Sequence, residues 1–137
     1  MHQVRRDQTA VIFVRASDRQ QDISAAWKRL EMGIPLQGRR FYGAFFPEAG
    51  EYWAAAELIA GDDPEVLGLE IGILPGGRFL WARLRGRPPG VYDQVAPIFE
   101  AMRHRFGTDS GRPSLESYRS AGEIDLLHPL ASALSDY

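Results

Sequence analysis

Glu116 and Tyr118 are the residues with the clearest capacity for chemistry. They lie two positions apart in the segment Leu115-Glu116-Ser117-Tyr118, which is predicted to be a short strand. Because successive side chains of a strand point to opposite faces, the carboxylate and the phenol would share one face. A carboxylate among aromatic rings is partly desolvated, which raises its pKa and suits it to receive a cation or to act as an acid or base. The same spacing also fits a surface Glu beside a half-buried Tyr.

Aromatic residues are concentrated in the other predicted strands. The set comprises Phe41, Tyr42, Phe45, Phe46, Tyr52, Trp53, Phe79 and Trp81. Most large aromatic side chains belong to the core. Tyr and Trp also line pockets that are half apolar and half wet, and their ring faces attract cations. As a set, these residues favour a pocket.

Composition excludes several classes of function. The 137 residues suit one globular domain, residues 1–137, with 45% hydrophobic and 25% charged content. The absence of cysteine excludes thiol catalysis, disulfides and Cys-based zinc sites. Three distant histidines, His2, His104 and His128, make a His-based metal site unexpected, and we expect no metal and no cofactor.

Charge and hydropathy indicate neither nucleic-acid binding nor membrane insertion. A formal net charge of -2 disfavours both nucleic acid and anionic membranes as partners. The basic series Arg78, Arg83, Arg85 and Arg87 is typical of a solvated strand end. No apolar run reaches the length of a membrane span, which predicts a cytoplasmic protein. The sequence contains no nucleophile elbow, phosphate loop or dinucleotide fingerprint.

The first half of the chain predicts a strand, a helix and two more strands. The first strand is TAVIFVRAS from Thr9, whose apolar run suits burial on both faces. Helical spacing of apolar residues then predicts a helix with Asp22 as N-cap and an end near Gly33. The segments FYGAFF and EYWAAAELI follow as strands, although the alanine run of the second also fits a short helix.

The second half repeats this order. RFLWARLRG resembles AVIFVRASD, and shifting the first half by about 68 residues aligns apolar positions of the two halves. Helical spacing returns at Val91, Val95, Ile98, Met102 and Phe106. Pro97 requires that this helix either starts near Ala96 or is kinked. PSLESY and EIDLLHPL are the last two strands, and LPGG joins the halves.

These elements predict an α+β fold. Two related strand-helix-strand-strand units, at about residues 9–60 and 78–130, would form an antiparallel sheet with helices on one side. A cleft where such units meet is a preferred place for a small molecule.

The chain resembles the gyrase-inhibitor-like (GyrI-like) small-molecule-binding domain, which is also the effector-binding domain of AraC-type and multidrug-sensing transcription regulators. The resemblance covers residues 11–130. It rests on the order of FYGAFF, LPGGRFLWARLRG, the following Val-Tyr-Asp, RPSLESY and EIDLLHP. It implies a pseudo-twofold fold with a ligand cleft between the units. The helix-turn-helix of a complete regulator is not found ahead of the domain, which implies a stand-alone form.

The resemblance also assigns residues to the cleft. Glu116 matches the family's central acidic residue, which pairs with cationic, often flat aromatic ligands, and Tyr118 matches the aromatic residue two positions later. Tyr42, Phe45, Trp53 and Trp81 lie in segments that resemble the cleft walls.

Three functions follow from these observations. The first is binding of an amphipathic, cationic aromatic molecule, for effector sensing or toxin sequestration. The second is hydrolysis of strained cyclopropyl natural products, with Glu116 and Tyr118 as catalytic residues, since some stand-alone relatives resemble such hydrolases. The third is a protein-interaction module that acts on gyrase or a regulator.

Overall fold

The computed structural model describes residues 2–107, 111–120 and 122–130. Its strands are β1 (His2–Arg6), β2 (Thr9–Ser17), β3 (Phe41–Phe46), β4 (Glu51–Glu57), β5 (Glu70–Leu74), β6 (Gly77–Arg85), β7 (Ser114–Ser120) and β8 (Glu123–Pro129). Its helices are α1 (Gln20–Gly33), the single turn α2 (Pro64–Leu67), the 3-10 helix Gly90–Gln94 and α3 (Val95–Phe106).

The strands form one antiparallel sheet. Their order is β1-β6-β8-β7-β3-β4-β2-β5, with β7 and β3 side by side at the centre. The predicted α+β class is confirmed. The order strand-helix-strand-strand occurs in β2-α1-β3-β4 and again in β6-α3-β7-β8, since the 3-10 helix leads directly into α3.

Two short connections show that the sheet is strongly curled. Two residues, Asp7 and Gln8, link β1 at one edge to β2 near the other edge, and Pro75 and Gly76 link β5 to β6. In a flat sheet these strands would lie six spacings of about 4.8 Å apart, roughly 29 Å, whereas two linking residues span at most about 11 Å. The ends of the sheet must therefore approach each other at this corner, where a Cβ on Gly76 would lie 2.6 Å from the Arg6 carbonyl oxygen.

The curled sheet has a core on each face. The inner face is defined by a cluster that draws on strands from the centre and from both ends of the sheet: Val11, Phe13, Tyr42, Ala44, Ala55, Leu74, Phe79, Leu115 and Leu127. The outer face carries α1 over β2 and β4, and α3 over β6 and β8. Between the two helices, the outer face of β3 and β7 is not covered by any described helix.

The structure corrects one detail of α1. Its N-cap is Arg19, which makes no capping side-chain bond, and the helix begins at Gln20, so the prediction of Asp22 as N-cap is wrong. Asp22 lies in the first turn, where its carboxylate accepts a hydrogen bond from Ser17 Oγ at 2.6 Å. A negative charge is favourable there because the helix dipole is positive at that end. The predicted end at Gly33 is confirmed.

Helix α3 shows how Pro97 is accommodated. The helix begins at Val95, so Pro97 is its third residue. The first N–H groups of a helix have no intrahelical partner, so proline costs no hydrogen bond there. Of the two alternatives that the sequence left open, the start near Ala96 is therefore the one observed, and no kink is needed. The alanine run, which also fitted a helix, lies in β4.

Candidate functional site

The uncovered centre of the outer face is built from β3, β4 and β7. Gly43 of β3 lies directly opposite Glu116 of β7, and Phe41 lies opposite Tyr118. On the other side of β3, Phe45 lies opposite Tyr52. Directly paired residues of neighbouring strands point to the same face. Glu116, Tyr118 and Tyr52 therefore share the outer face.

Two phenols hydrogen-bond the same carboxylate oxygen. The Tyr52 hydroxyl donates to Glu116 Oε1 at 2.9 Å, and the Tyr118 hydroxyl donates to it at 2.5 Å. The Trp27 indole Nε1 of α1 donates in turn to the Tyr52 hydroxyl at 3.1 Å. The chain of hydrogen bonds thus connects α1 to β4 and β7. Oε2 of Glu116 makes no hydrogen bond within the described part of the chain.

Gly43 provides the space for this arrangement. A Cβ at this position would lie 2.0 Å from the Tyr52 hydroxyl oxygen and 2.5 Å from Glu116 Oε1. Both distances are far inside van der Waals contact. Any side chain at Gly43 would separate the phenol from the carboxylate.

Burial dominates the electrostatics of Glu116. Desolvation raises the pKa of this carboxyl, and the two phenol hydrogen bonds oppose the shift without reversing it. Glu116 forms no ion pair with any described residue. The pKa values of Tyr52 and Tyr118 are raised by burial and then by the negative charge of Glu116, which keeps both phenols protonated as donors.

Glu116 lies at the floor of a cavity of about 970 Å³ between α1 and α3. Its aromatic lining consists of Trp27, Phe41, Phe45, Tyr52, Tyr92, Phe99 and Tyr118. The Trp27 and Tyr118 rings meet edge to face with centroids 5.4 Å apart, and Tyr92 meets Tyr118 at 6.4 Å. Tyr92 is exposed, so the aromatic surface extends from the floor to the mouth.

Arginines that line the cavity already have acidic partners. Arg39 is bound to Asp62 at 2.9 Å, and both side chains are buried. Arg119 is bound to Glu123 at 3.0 Å. Arg103 pairs with Glu100, three residues before it on α3. Each of these arginines has a carboxylate partner, and Arg119 shares Glu123 with Arg85. Lys28 also lines the cavity, and Glu116 forms no ion pair with any described residue.

The structure places the six sequence-predicted site residues on two faces. Glu116, Tyr118 and Phe45 line the cavity. Tyr42, Trp53 and Trp81 belong to the inner face, where Tyr42 is buried and Trp53 stacks on Phe13 with centroids 3.8 Å apart. Trp81 lies beneath the Arg83 guanidinium, 5.0 Å from the ring centroid.

Sequence reasoning missed three contributors to the site. Trp27 lies in the apolar stripe of the predicted first helix, which by itself indicates no pocket, and Tyr52 is one of many strand aromatics. Gly43 had no recognisable signal. Because side chains alternate between the two faces along EYWAAAE, Tyr52 and Trp53 point to opposite faces of the sheet. Only the pairing of β3 with β4 and β7 shows which of the two faces Glu116.

No group of three potential metal ligands is found among the described residues. No described helix is long and apolar enough to cross a membrane. Two members of the basic series form ion pairs, Arg83 with Asp125 at 2.7 Å and Arg85 with Glu123 at 3.3 Å.

The fold and the site together define a class of protein: an antiparallel α+β domain with an acidic residue in an aromatic cavity. No protein-family model matches the sequence, and no curated protein sequence matches it. Several solved structures share the fold.

An integron cassette protein from the mobile metagenome of Vibrio cholerae, VCH_CASS2, superposes with a TM-score of 0.72 at 14% identity, covering 95% of both chains. The protein SAV2435, solved bound to tetraphenylphosphonium, has a TM-score of 0.71 at 12% identity, covering 99% of this chain and 96% of its own. A hydrolase from Listeria innocua has a TM-score of 0.57 at 12% identity, covering 95% of this chain and 91% of its own. At these identities the similarity establishes the fold.

Proposed function

We propose that this protein binds an amphipathic, cationic aromatic small molecule in the cavity between α1 and α3. The observation that carries the proposal is the Glu116 carboxylate, which is partly buried among aromatic rings and has no cationic partner among the described residues. A desolvated carboxylate without a counter-ion is costly. A cationic ligand would supply the missing charge.

The preference for an aromatic ligand follows from the walls. Trp27, Tyr118 and Tyr92 present ring edges and faces along one path from floor to mouth. Such surfaces favour flat or bulky apolar groups and attract cations through their π faces. The ligand's apolar area supplies most of the affinity, and Glu116 supplies charge selectivity.

Two broader assignments belong to the same proposal. We infer that the chain is a GyrI-like domain, and that the units at residues 9–60 and 78–130 are related by a pseudo-twofold axis that passes near the β3–β7 pair. The repeated order of elements supports this, as does the similarity in fold to SAV2435, a protein that binds tetraphenylphosphonium.

The test is a calorimetric titration with tetraphenylphosphonium and with neutral triphenylphosphine oxide. Wild type is expected to prefer the cation, and Glu116→Gln to lose about 10-fold to 100-fold of the cation affinity, since contacts to charged groups contribute about 1.5–3 kcal/mol. Glu31→Gln is the matched control, because Glu31 also lines the cavity but is exposed. Equal affinity of wild type and Glu116→Gln for the cation would refute the role of Glu116.

Tryptophan fluorescence locates the bound molecule independently. Trp27 lines the cavity, whereas Trp53 and Trp81 lie on the inner face. Ligand quenching is expected to persist in Trp53→Phe and Trp81→Phe and to disappear in Trp27→Phe. Quenching that instead depends on Trp53 or Trp81 would move the site to the inner face.

A hydrolase is the second candidate, favoured by the Tyr118 hydroxyl at 2.5 Å from Glu116 and by the fold shared with the Listeria innocua hydrolase. Here Glu116 would take a proton from a water that attacks a strained cyclopropyl carbon. Tyr118 would give its proton to the atom released by ring opening and recover a proton from Glu116. Mass spectrometry of an electrophilic cyclopropyl substrate decides: a ring-opened product carrying one added water, formed by wild type and not by Glu116→Gln, assigns an enzyme.

A further inference from the structure

The two oxygens of the Glu116 carboxylate lie in different environments. Oε1 accepts hydrogen bonds from the hydroxyls of Tyr52 and Tyr118, at 2.9 and 2.5 Å. A carboxylate oxygen has two lone pairs, so the acceptor capacity of Oε1 is fully used. Oε2 has no hydrogen-bond partner among the described residues. Any further donor that binds this carboxylate must therefore bind Oε2.

Oε2 of Glu116 is open to the cavity. Among the described residues, the side-chain atoms that are fully buried without a hydrogen bond are Arg39 Nε, Trp53 Nε1 and His128 Nδ1. Oε2 also lacks a hydrogen bond but does not belong to this group, so the protein does not enclose it completely. Because Glu116 lines the cavity between α1 and α3, the cavity is the space that Oε2 faces.

The side chains around Oε2 supply no donor for it. The hydroxyls of Tyr52 and Tyr118 already donate to Oε1, and the Trp27 indole N–H donates to the Tyr52 hydroxyl. None of the described basic residues that line the cavity is bonded to Glu116. In the free protein, water can donate to Oε2. A ligand that displaces such a water without replacing its hydrogen bond loses affinity.

We propose that the cationic group of the ligand is a protonated tertiary amine, whose single N–H donates to Oε2 of Glu116. This inference rests on the proposed function and adds the chemical class of the cation. A quaternary onium ion has no N–H, so it leaves Oε2 unpaired in a desolvated site, which is costly. An amidinium or guanidinium ion forms two parallel hydrogen bonds to a carboxylate, but Oε1 has no lone pair left for the second.

A tertiary amine also suits the aromatic lining of the cavity. Its nitrogen carries three carbon groups and one N–H, so its one donor meets the one free acceptor of the carboxylate. The carbon groups then contact the rings of Trp27, Phe45 and Tyr118, which line the cavity beside Glu116. A primary ammonium ion has three N–H donors. The additional donors would exchange water for ring faces, which are weaker acceptors.

Calorimetric titration of the full chain with a matched pair of cations tests the proposal. N,N-dimethyl-1-naphthylmethylamine is protonated at neutral pH and carries one N–H, which a methyl group replaces in the quaternary trimethylammonium salt. The added methyl group alone would make the quaternary salt bind about 4-fold more tightly. A charged hydrogen bond to Oε2 outweighs this, so wild type is expected to prefer the amine by about 3-fold to 40-fold. Equal or tighter binding of the quaternary salt would overturn the proposal and leave the proposed cation site standing.

Glu116→Gln assigns the preference to Oε2. The amide oxygen can still accept from Tyr52 and Tyr118, which places the amide NH2, a donor, where Oε2 was. The preference for the amine is therefore expected to disappear or to reverse to about 4-fold in favour of the quaternary salt. Circular dichroism checks that the variant folds.

Glu31→Gln is the matched control, because it removes an exposed carboxylate that lines the same cavity. It is expected to keep the wild-type preference for the amine. A preference that survives in Glu116→Gln, or that is lost in Glu31→Gln, would assign the N–H to another acceptor and overturn the proposal. If wild type binds neither cation, the proposed function itself fails, which is a different result from binding without a preference.

Discussion

At the residue scale, the negative charge of Glu116 lowers the stability of the folded protein. Glu116 has two phenol donors on one oxygen and no basic partner among the described residues, so its negative form is stabilised less than water would stabilise it. Functional sites often retain such costs because the same feature binds the ligand. The cost is measurable in the absence of any ligand.

The stability of wild type relative to Glu116→Gln is expected to fall as pH rises. The folded-state pKa of Glu116 is raised above its ordinary value of 4.5, so the protonated group favours folding. That contribution is fully present below the unfolded-state pKa and is lost as pH rises through the folded-state pKa. Urea unfolding of both proteins from about pH 4 to pH 8 checks the sign. A wild type that gains stability over the variant with rising pH would show that the phenols outweigh desolvation.

Gly43→Ala is expected to separate the Tyr52 hydroxyl from Glu116. Its Cβ would lie 2.0 Å from that hydroxyl oxygen, so Tyr52 must move, and overpacking of this kind costs about 1–3 kcal/mol. Because Trp27 donates to the same hydroxyl, α1 is displaced as well. Urea unfolding measures the loss, and tetraphenylphosphonium titration measures the accompanying fall in affinity.

Gly33→Ala is the matched control for this substitution. Gly33 ends α1, and a Cβ there would meet nothing within 4 Å. The free energy of unfolding of Gly33→Ala is expected to lie within about 0.5 kcal/mol of the wild-type value. Equal stability of the two variants would mean that the contact at Gly43 is relieved without cost.

At the element scale, the strands were more predictable from sequence than the faces they present. Apolar runs and turn residues predicted β2, β3, β4, β6, β7 and β8, because buried strands have period-two or continuous apolar patterns. β1 was not predicted, since His-Gln-Val-Arg-Arg has no such pattern and forms a strand through its pairing with β6.

The site itself needed information that a single sequence lacks. The common face of Glu116 and Tyr118 follows from their spacing alone. Placement of Trp53 and Trp81 on the inner face depends on the pairing register, and a shift of one residue would exchange the faces. The curl of the sheet, which makes the inner face a second core, arises from two connections whose strand partners the sequence does not specify.

The buried ion pair between Arg39 and Asp62 joins the residues just before β3 to the segment between β4 and α2. The side chains are 1% and 7% exposed, and two hydrogen bonds join them. Arg39→Met leaves the Asp62 carboxylate buried without its partner, which is expected to cost about 3–5 kcal/mol. Arg15→Met is the comparison, because Arg15 is half exposed and its loss is expected to cost about 0–1 kcal/mol. Similar losses in the two variants, measured by urea unfolding, would contradict the distinction.

At the scale of the whole molecule, the two proposed units, residues 9–60 and 78–130, share one core and one sheet. The inner cluster contains Phe13 and Tyr42 from residues 9–60 together with Phe79 and Leu127 from residues 78–130. The central β3–β7 ladder joins the units through backbone hydrogen bonds. The cavity floor spans the same ladder, since Tyr52 and Glu116 come from different units. Neither unit can therefore unfold without opening the core and the site of the other.

This sharing predicts a single cooperative unfolding transition. Trp27 reports on the first unit and Trp81 on the second. Variants that retain only Trp27 or only Trp81, with the other two of the three tryptophans changed to Phe, therefore separate the two signals. In each variant, the urea midpoint from fluorescence is expected to coincide with that from far-UV circular dichroism, as two-state unfolding requires. If the Trp81 signal changed at a lower urea concentration than the circular dichroism while Trp27 did not, the second unit would unfold by itself. The cavity floor would then lose β7 before β3. Because ligands stabilise the state that binds them, cation binding would raise the urea midpoint of the Trp81 signal selectively.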